Sequence, residues 1–231
     1  MGVKLRTARN ALVLTVSLNP IVTMADVNVL FDAGDPAATI FPSDLFTVPD
    51  STQNTLRRVN LPKPDCAVRV IECQDIDVLQ DIDVLNELDG FNPQPRVSVP
   101  FSGPIDVNTV TSDTVFFLRL GGGPEKRIGI NQIVWDPAVN TLHFESDELL
   151  EQQARYAVIV TDGVRDAFGS PVAGGDFERF RRDLNFGQTK DAQLKDYRKD
   201  LSDVTRRVRS WRVVGASVFT TLSTTTSPGA M

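Results

Sequence analysis

The chain has 231 residues, 41% hydrophobic and 23% charged, the balance of a globular protein with a packed core. Its formal net charge of −6 and pI near 4.9 count against a nucleic-acid or anionic-membrane partner. The charge is uneven: Phe177 to Arg212 holds 11 Lys+Arg against 6 Asp+Glu, a net +5, which leaves −11 for the remainder.

Residues 1–25 read as an export signal. Lys4, Arg6 and Arg9 form a basic start, the segment from Ala11 to Val22 is mostly apolar, and Thr23 and Ala25 are small residues where a signal peptidase reads. Asn19 and Pro20 depart from that pattern. The run is too short to span a bilayer, which takes about 20 apolar residues, so export is expected and a membrane span is not.

Residues 26–64 are rich in Pro, Asp, Thr and Asn, and prolines at 36, 42, 49, 62 and 64 forbid long helices. This predicts an extended arm that inserts Phe41, Leu45 and Phe46 into a neighbouring surface. Cys66 and Cys73 follow, seven positions apart. In an oxidising compartment they would close a local disulfide loop, with two free thiols as the alternative. Zinc is not suggested, because it wants about four ligands in close pairs and the single histidine lies far away.

Residues 74–85 read QDIDVLQDIDVL, six letters written twice. Asp75, Asp77, Asp81 and Asp83 are weak candidates for a metal site. Calcium wants six to eight converging oxygens and a glycine at the bend, and no glycine occurs between Gln74 and Gly90. As a helix the segment puts Ile82, Leu85 and Leu88 on one face, and as a strand it puts Asp75 and Asp77 on one face. Neither closes a cage. The repeat reads as a duplication tolerated on the surface.

From Pro95 the pattern changes to short β runs separated by turns. RVSVPF alternates, with Val97, Val99 and Phe101 on one face. DTVFFLRL, RIGINQIVWD, TLHFES and ARYAVIVTDGV follow. Five or six strands with no helix between them describe an antiparallel sandwich. Then Leu194, Tyr197, Leu201, Val204, Val208 and Trp211 repeat at 3 and 4, the stripe of an amphipathic helix expected to pack on its own domain, with a partner helix or a membrane surface as the alternative. RVVGASVFTTL returns to strand before a polar tail.

Catalytic motifs are absent. No G-x-S-x-G, P-loop, H-E-x-x-H or G-x-G-x-x-G occurs. His143, the lone imidazole, alternates with Leu142 and Phe144 and is expected to face water. No catalytic residue, cofactor site or cofactor is assigned.

Several segments resemble a known family. FPSDLFTVPDSTQNTLRRVNLPKPDC, LNELDGFNPQPRVSVPFSGPIDVNTVTSDTVFFLRL, INQIVWDPAVNTLHFESDELLEQQARYAVIVTDGVRDAFGSPV and ASVFTT look like the N-terminal, bacterial Ig-like region of secreted lipases and esterases of the α/β-hydrolase type. The likeness covers roughly residues 30–222 and is most specific from Leu88 to Val172. It implies core roles for Trp135 and Tyr156. It differs in two ways: the acidic segment before LNELDGF is doubled, and the hydrolase domain that follows FTT in the family is missing here. The nucleophile, acid and base would all lie in that missing part.

The expectation is therefore a mainly β protein, an Ig-like antiparallel β-sandwich with an extended N-terminal arm and a C-terminal amphipathic helix. Its parts are a signal peptide (1–25), the arm with cysteine loop and duplication (26–90), the sandwich (91–176), and helix, final strand and tail (177–231). Its role would be that of a non-catalytic accessory module, with a hydrolase domain or other protein surface docking on the helix stripe and the Phe41–Phe46 arm. Two rivals are an esterase that uses His143 and an adhesive module for cell-surface contact. No nucleic-acid partner is expected, and the sequence leaves the oligomeric state open.

Overall fold

The structure is a computed structural model that describes residues 26–64, 76–121, 126–182, 191–208 and 211–224. The proposed signal peptide, Cys66, Cys73 and Asp75 lie outside the described residues.

Eleven short strands and three α-helices are formed among the described residues. The helices are α1 (Ile76–Leu85), α2 (Gly175–Arg181) and α3 (Ala192–Arg207). Three strands make one sheet, β3 (Val97–Pro100), β8 (Thr141–Ser146) and β7 (Ile130–Asp136), in that spatial order. Four make the other, β11 (Val213–Thr220), β9 (Arg155–Thr161), β5 (Val115–Leu120) and β6 (Arg127–Ile128). Every pairing within the two sheets is antiparallel. The short ladders β1 (Thr47–Pro49) with β2 (Arg57–Val59), and β4 (Ile105–Asp106) with β10 (Arg165–Asp166), complete the strands.

Alternation decides what the two sheets share. Val97 and Val99 on β3 and Leu142 and Phe144 on β8 point inward and are fully buried. They meet Val115 and Phe117 of β5, Tyr156, Val158 and Val160 of β9, and Phe219 of β11. The other face of the four-stranded sheet is apolar as well. Phe116, Leu118, Ile159, Ala216 and Val218 pack there against Phe177 and Phe180 of α2, Tyr197, Leu201 and Val204 of α3, and Val208 at its C-cap. A sheet covered on both faces needs strands without a polar side, and all eight residues of β11 are buried accordingly. The molecule thus has three layers: the three-stranded sheet, the four-stranded sheet and the helices.

Two consequences concern docking. The helix stripe, proposed as a surface for a partner, is closed by the chain's own sheet from Tyr197 to Val208. The arm too is part of the domain. Phe41 exchanges both backbone hydrogen bonds with Ser98 of β3 (3.0 and 2.8 Å), and Val29, Ile40 and Phe46 are buried. The arm covers the outer edge of β3, as an edge strand that must not aggregate requires. Strand β11, which the sequence grouped with the tail, hydrogen-bonds to β9 from Val213 to Thr220.

Candidate functional site

Two polar constructions and one histidine pair stand out among the described residues. The first lies along the outer edge of β11. Val218 N–H donates to the Tyr197 hydroxyl oxygen (3.2 Å), and Thr220 N–H donates to Asp44 Oδ1 (2.9 Å). Side chains of α3 and of the arm thereby occupy backbone donors that would otherwise face an open edge.

The hydroxyls around Tyr197 close a directed chain. Ser43 Oγ donates to the Tyr197 oxygen (2.8 Å), and Ser217 Oγ donates to the Pro42 carbonyl (2.7 Å). The Tyr197 proton is left for Ser217 Oγ at 3.3 Å. Burial pushes the Tyr197 hydroxyl above its ordinary pKa, against the opposing pull of Ser217 and Ser43.

Asp44 sits beside it, 5% exposed. Its Oδ2 accepts from Thr220 Oγ1 (2.9 Å) and lies 3.7 Å from both Arg57 Nε and Arg155 Nε. Arg155 also holds Asp200 of α3 at 2.6 Å. Burial raises the Asp44 carboxyl above the usual carboxylate range, and Arg57, Arg155 and Thr220 work against it. The lock joins arm, sheet and helix. Sequence inspection passed over Ser43 and Asp44, since SD in a proline-rich stretch reads as a turn; Ser43 does cap the short 3-10 turn Asp44–Phe46.

The second construction clamps the chain after β11. Phe91 N–H donates to the Thr220 carbonyl and Leu222 N–H to the Phe91 carbonyl, both at 2.8 Å. Asp89 Oδ1 accepts from Ser223 N–H (2.9 Å), and its Oδ2 accepts from Ser223 Oγ. From the opposite side, Thr221 Oγ1 donates to the Glu151 carbonyl (2.6 Å), and Thr224 binds Gln152 Oε1 through N–H and Oγ1, both 2.8 Å. Gly90 is required here, because a Cβ would stand 2.8 Å from Leu222 N and from Thr220 O. The LDGF and FTT segments quoted for the resemblance are thus in direct contact.

His143 does not simply face water. Its Nδ1 is 3.0 Å from Ser98 Oγ, across the β3–β8 ladder. Both line an apolar groove of about 610 Å³ between the arm, α1 and the outer face of the three-stranded sheet, with Leu30, Phe41, Leu61 and Ile82 on its walls. Among the described residues no carboxylate bonds to His143, and the Ser98 backbone is tied to Phe41.

The duplicated segment is helical from Ile76 to Leu85. Asp81 and Asp83 are exposed, Asp83 pairs with Lys63 at 2.7 Å, and Asp77 lies in the first turn. No group of three or more metal-ligating side chains gathers among the described residues. Tyr156 is 1% exposed, and its hydroxyl accepts from Glu151 N–H (3.0 Å). Trp135 sits at the rim, half-buried, its ring 6.1 Å from that of Phe101. No described helix is long and apolar enough to cross a membrane.

The architecture defines an Ig-like β-sandwich, and sequence comparison agrees. Residues 78–186 match the family described as bacterial Ig-like domain. That stretch runs from α1 through α2, so the arm and β11 stand outside it although both complete the fold.

Among solved structures, the N-terminal part of the bacterial S-layer protein SbsC is similar at 16% identity and a TM-score of 0.29. The overlap covers 44% of this chain and 26% of that one. Domains 1–6 of the surface layer protein SbsC give 14% identity and a TM-score of 0.30 over 44% of this chain and 15% of that one. No curated protein matches the chain.

Proposed function

We propose that this chain is an exported, non-catalytic Ig-like accessory module that fixes the direction in which adjoining polypeptide leaves the sandwich. The clamp on residues 220–224 carries this reading. Strand β11 is followed by four residues held from both sides by Asp89, Phe91, Glu151 and Gln152, far more restraint than a free tail needs. The resemblance to the Ig-like region of secreted lipases and esterases supports a hydrolase domain as the neighbour so held. Both the bacterial Ig-like match and the basic, apolar start of the sequence favour a surface or exported location.

The Ser98–His143 pair favours a second reading, an esterase in its own right. Against it, a serine nucleophile needs an oriented base and donors for the oxyanion. Here the histidine has no carboxylate partner among the described residues, and the serine stands in a regular strand. Hydrolysis of a short-chain p-nitrophenyl ester decides between them. The accessory reading expects the wild type, Ser98→Ala and His143→Ala all to match buffer. Turnover by the wild type that both substitutions abolish would replace it with the esterase.

A further inference from the structure

We infer that the groove between α2 and the start of β11 is a binding site for an acidic polysaccharide, a glycan polymer carrying carboxylate or phosphate groups. Two connected cavities form it, of about 610 and about 570 Å³, and they share Glu178, Arg182 and Arg212. Arg181 and Trp211 line the first and Arg179 the second. Four arginines therefore line one groove, against three carboxylates, Glu178, Asp162 and Asp26.

Their pairing is incomplete. Arg182 reaches Glu178 at 3.5 Å and Arg212 reaches Asp162 at 3.8 Å. These are long, exposed contacts of little energetic weight. Arg181 makes no ion pair among the described residues, and its Nε is buried without a hydrogen-bond partner. Burial and the adjacent Arg182 charge both depress its pKa, with Glu178 opposing. A buried donor left unmet is costly, and a planar guanidinium accepts a carboxylate or phosphate oxygen readily.

Trp211 selects a sugar over a bare ion. It packs against Phe116 at 5.3 Å between ring centroids, with the Arg127 guanidinium 5.4 Å from its own ring. The indole is thus fixed, yet 38% exposed in the groove. A rigid, amphipathic aromatic beside cations suits the apolar face of a pyranose whose substituents are charged. A lipid surface fits less well, because Trp211 is the one exposed large apolar side chain among the described residues of the groove and it packs back on Phe116, and the overall negative charge disfavours nucleic acid.

Affinity electrophoresis of the full chain through gels containing polygalacturonate, a phosphate-bearing mannan or neutral dextran tests the site. Retardation is expected with one or both acidic glycans and not with dextran; which of the two retards identifies the charged group. It should weaken between about 50 mM and about 500 mM salt. Arg181→Gln should weaken binding about tenfold, the loss of one charge-assisted contact, while Arg181→Lys keeps part of it. Trp211→Phe should bind more weakly at unchanged salt dependence.

Circular dichroism identifies any variant that fails to fold, and Arg181→Gln with Arg182→Gln is the second line should Trp211→Phe do so. No retardation by either acidic glycan overturns the proposal. So does equal retardation by dextran, retardation unchanged in the double variant, or binding confined to an acidic peptide or to phosphatidylglycerol vesicles.

Discussion

Asp44 is a carboxylate withdrawn from water to hold a strand edge. Its oxygens face the Thr220 N–H, the Thr220 hydroxyl and two guanidinium groups, so every neighbour is a donor. Asp44→Asn keeps the shape but turns an amide N–H₂ toward donors, and we expect a loss of about 1–3 kcal/mol in urea unfolding. The pH dependence has a definite sign. Burial raises the folded-state pKa above 3.8, so between 3.8 and the raised value the folded state binds more protons than the unfolded chain. The wild type's margin over Asp44→Asn should therefore widen as pH falls through that window. A margin that shrank over the same range would mean that the arginines outweigh burial.

Strand β11 shows how one element depends on distant parts of the chain. Its sequence, VVGASVFT, announces a buried strand. Its edge is finished by the arm and α3, and its end by the Asp89–Phe91 segment, more than 120 positions earlier. Gly90 belongs to this element in effect. Gly90→Ala would press a methyl group onto the backbone of Thr220 and Leu222, where no side chain can yield. We expect about 1–3 kcal/mol of destabilisation, seen as a lower midpoint in thermal unfolding followed by circular dichroism. An unchanged midpoint would show that the clamp has slack.

At the scale of the molecule, the sandwich core and the helix-covered core lie on opposite faces of one sheet. Strands β5, β9 and β11 each contribute to both, so neither core can dissolve without exposing the strands of the other. The chain's two tryptophans report on the two sides, Trp135 beside Phe101 and Trp211 beside Phe116. Fluorescence of Trp135→Phe and Trp211→Phe, each against circular dichroism of the same variant, should give coincident transitions. If Trp211 fluorescence changed at lower urea than the strands melt, the helix layer would be a separate unit.

Much of this was legible beforehand, and the reason is periodicity. Alternation placed Val97, Val99, Phe101, Leu142 and Phe144 inward, and the 3–4 spacing from Leu194 to Val208 marked α3, because both patterns are local. What covers those faces is not local. The stripe on α3 reads the same whether a partner or its own sheet buries it, and RVVGASVFTTL reads as a strand without showing which strand it joins. The polar lock was invisible for the same reason. Ser43, Asp44, Arg155, Tyr197 and Thr220 share no motif and no spacing, and burial makes them one site. Likewise His143 was expected to face water by alternation, and only strand register sets Ser98 beside it. By itself, then, the sequence determined the class of fold, through hydrophobic period and turn chemistry acting within a dozen residues. Tertiary structure alone decided which edges and faces are closed, because burial and pairing across the chain depend on contacts that no local pattern encodes.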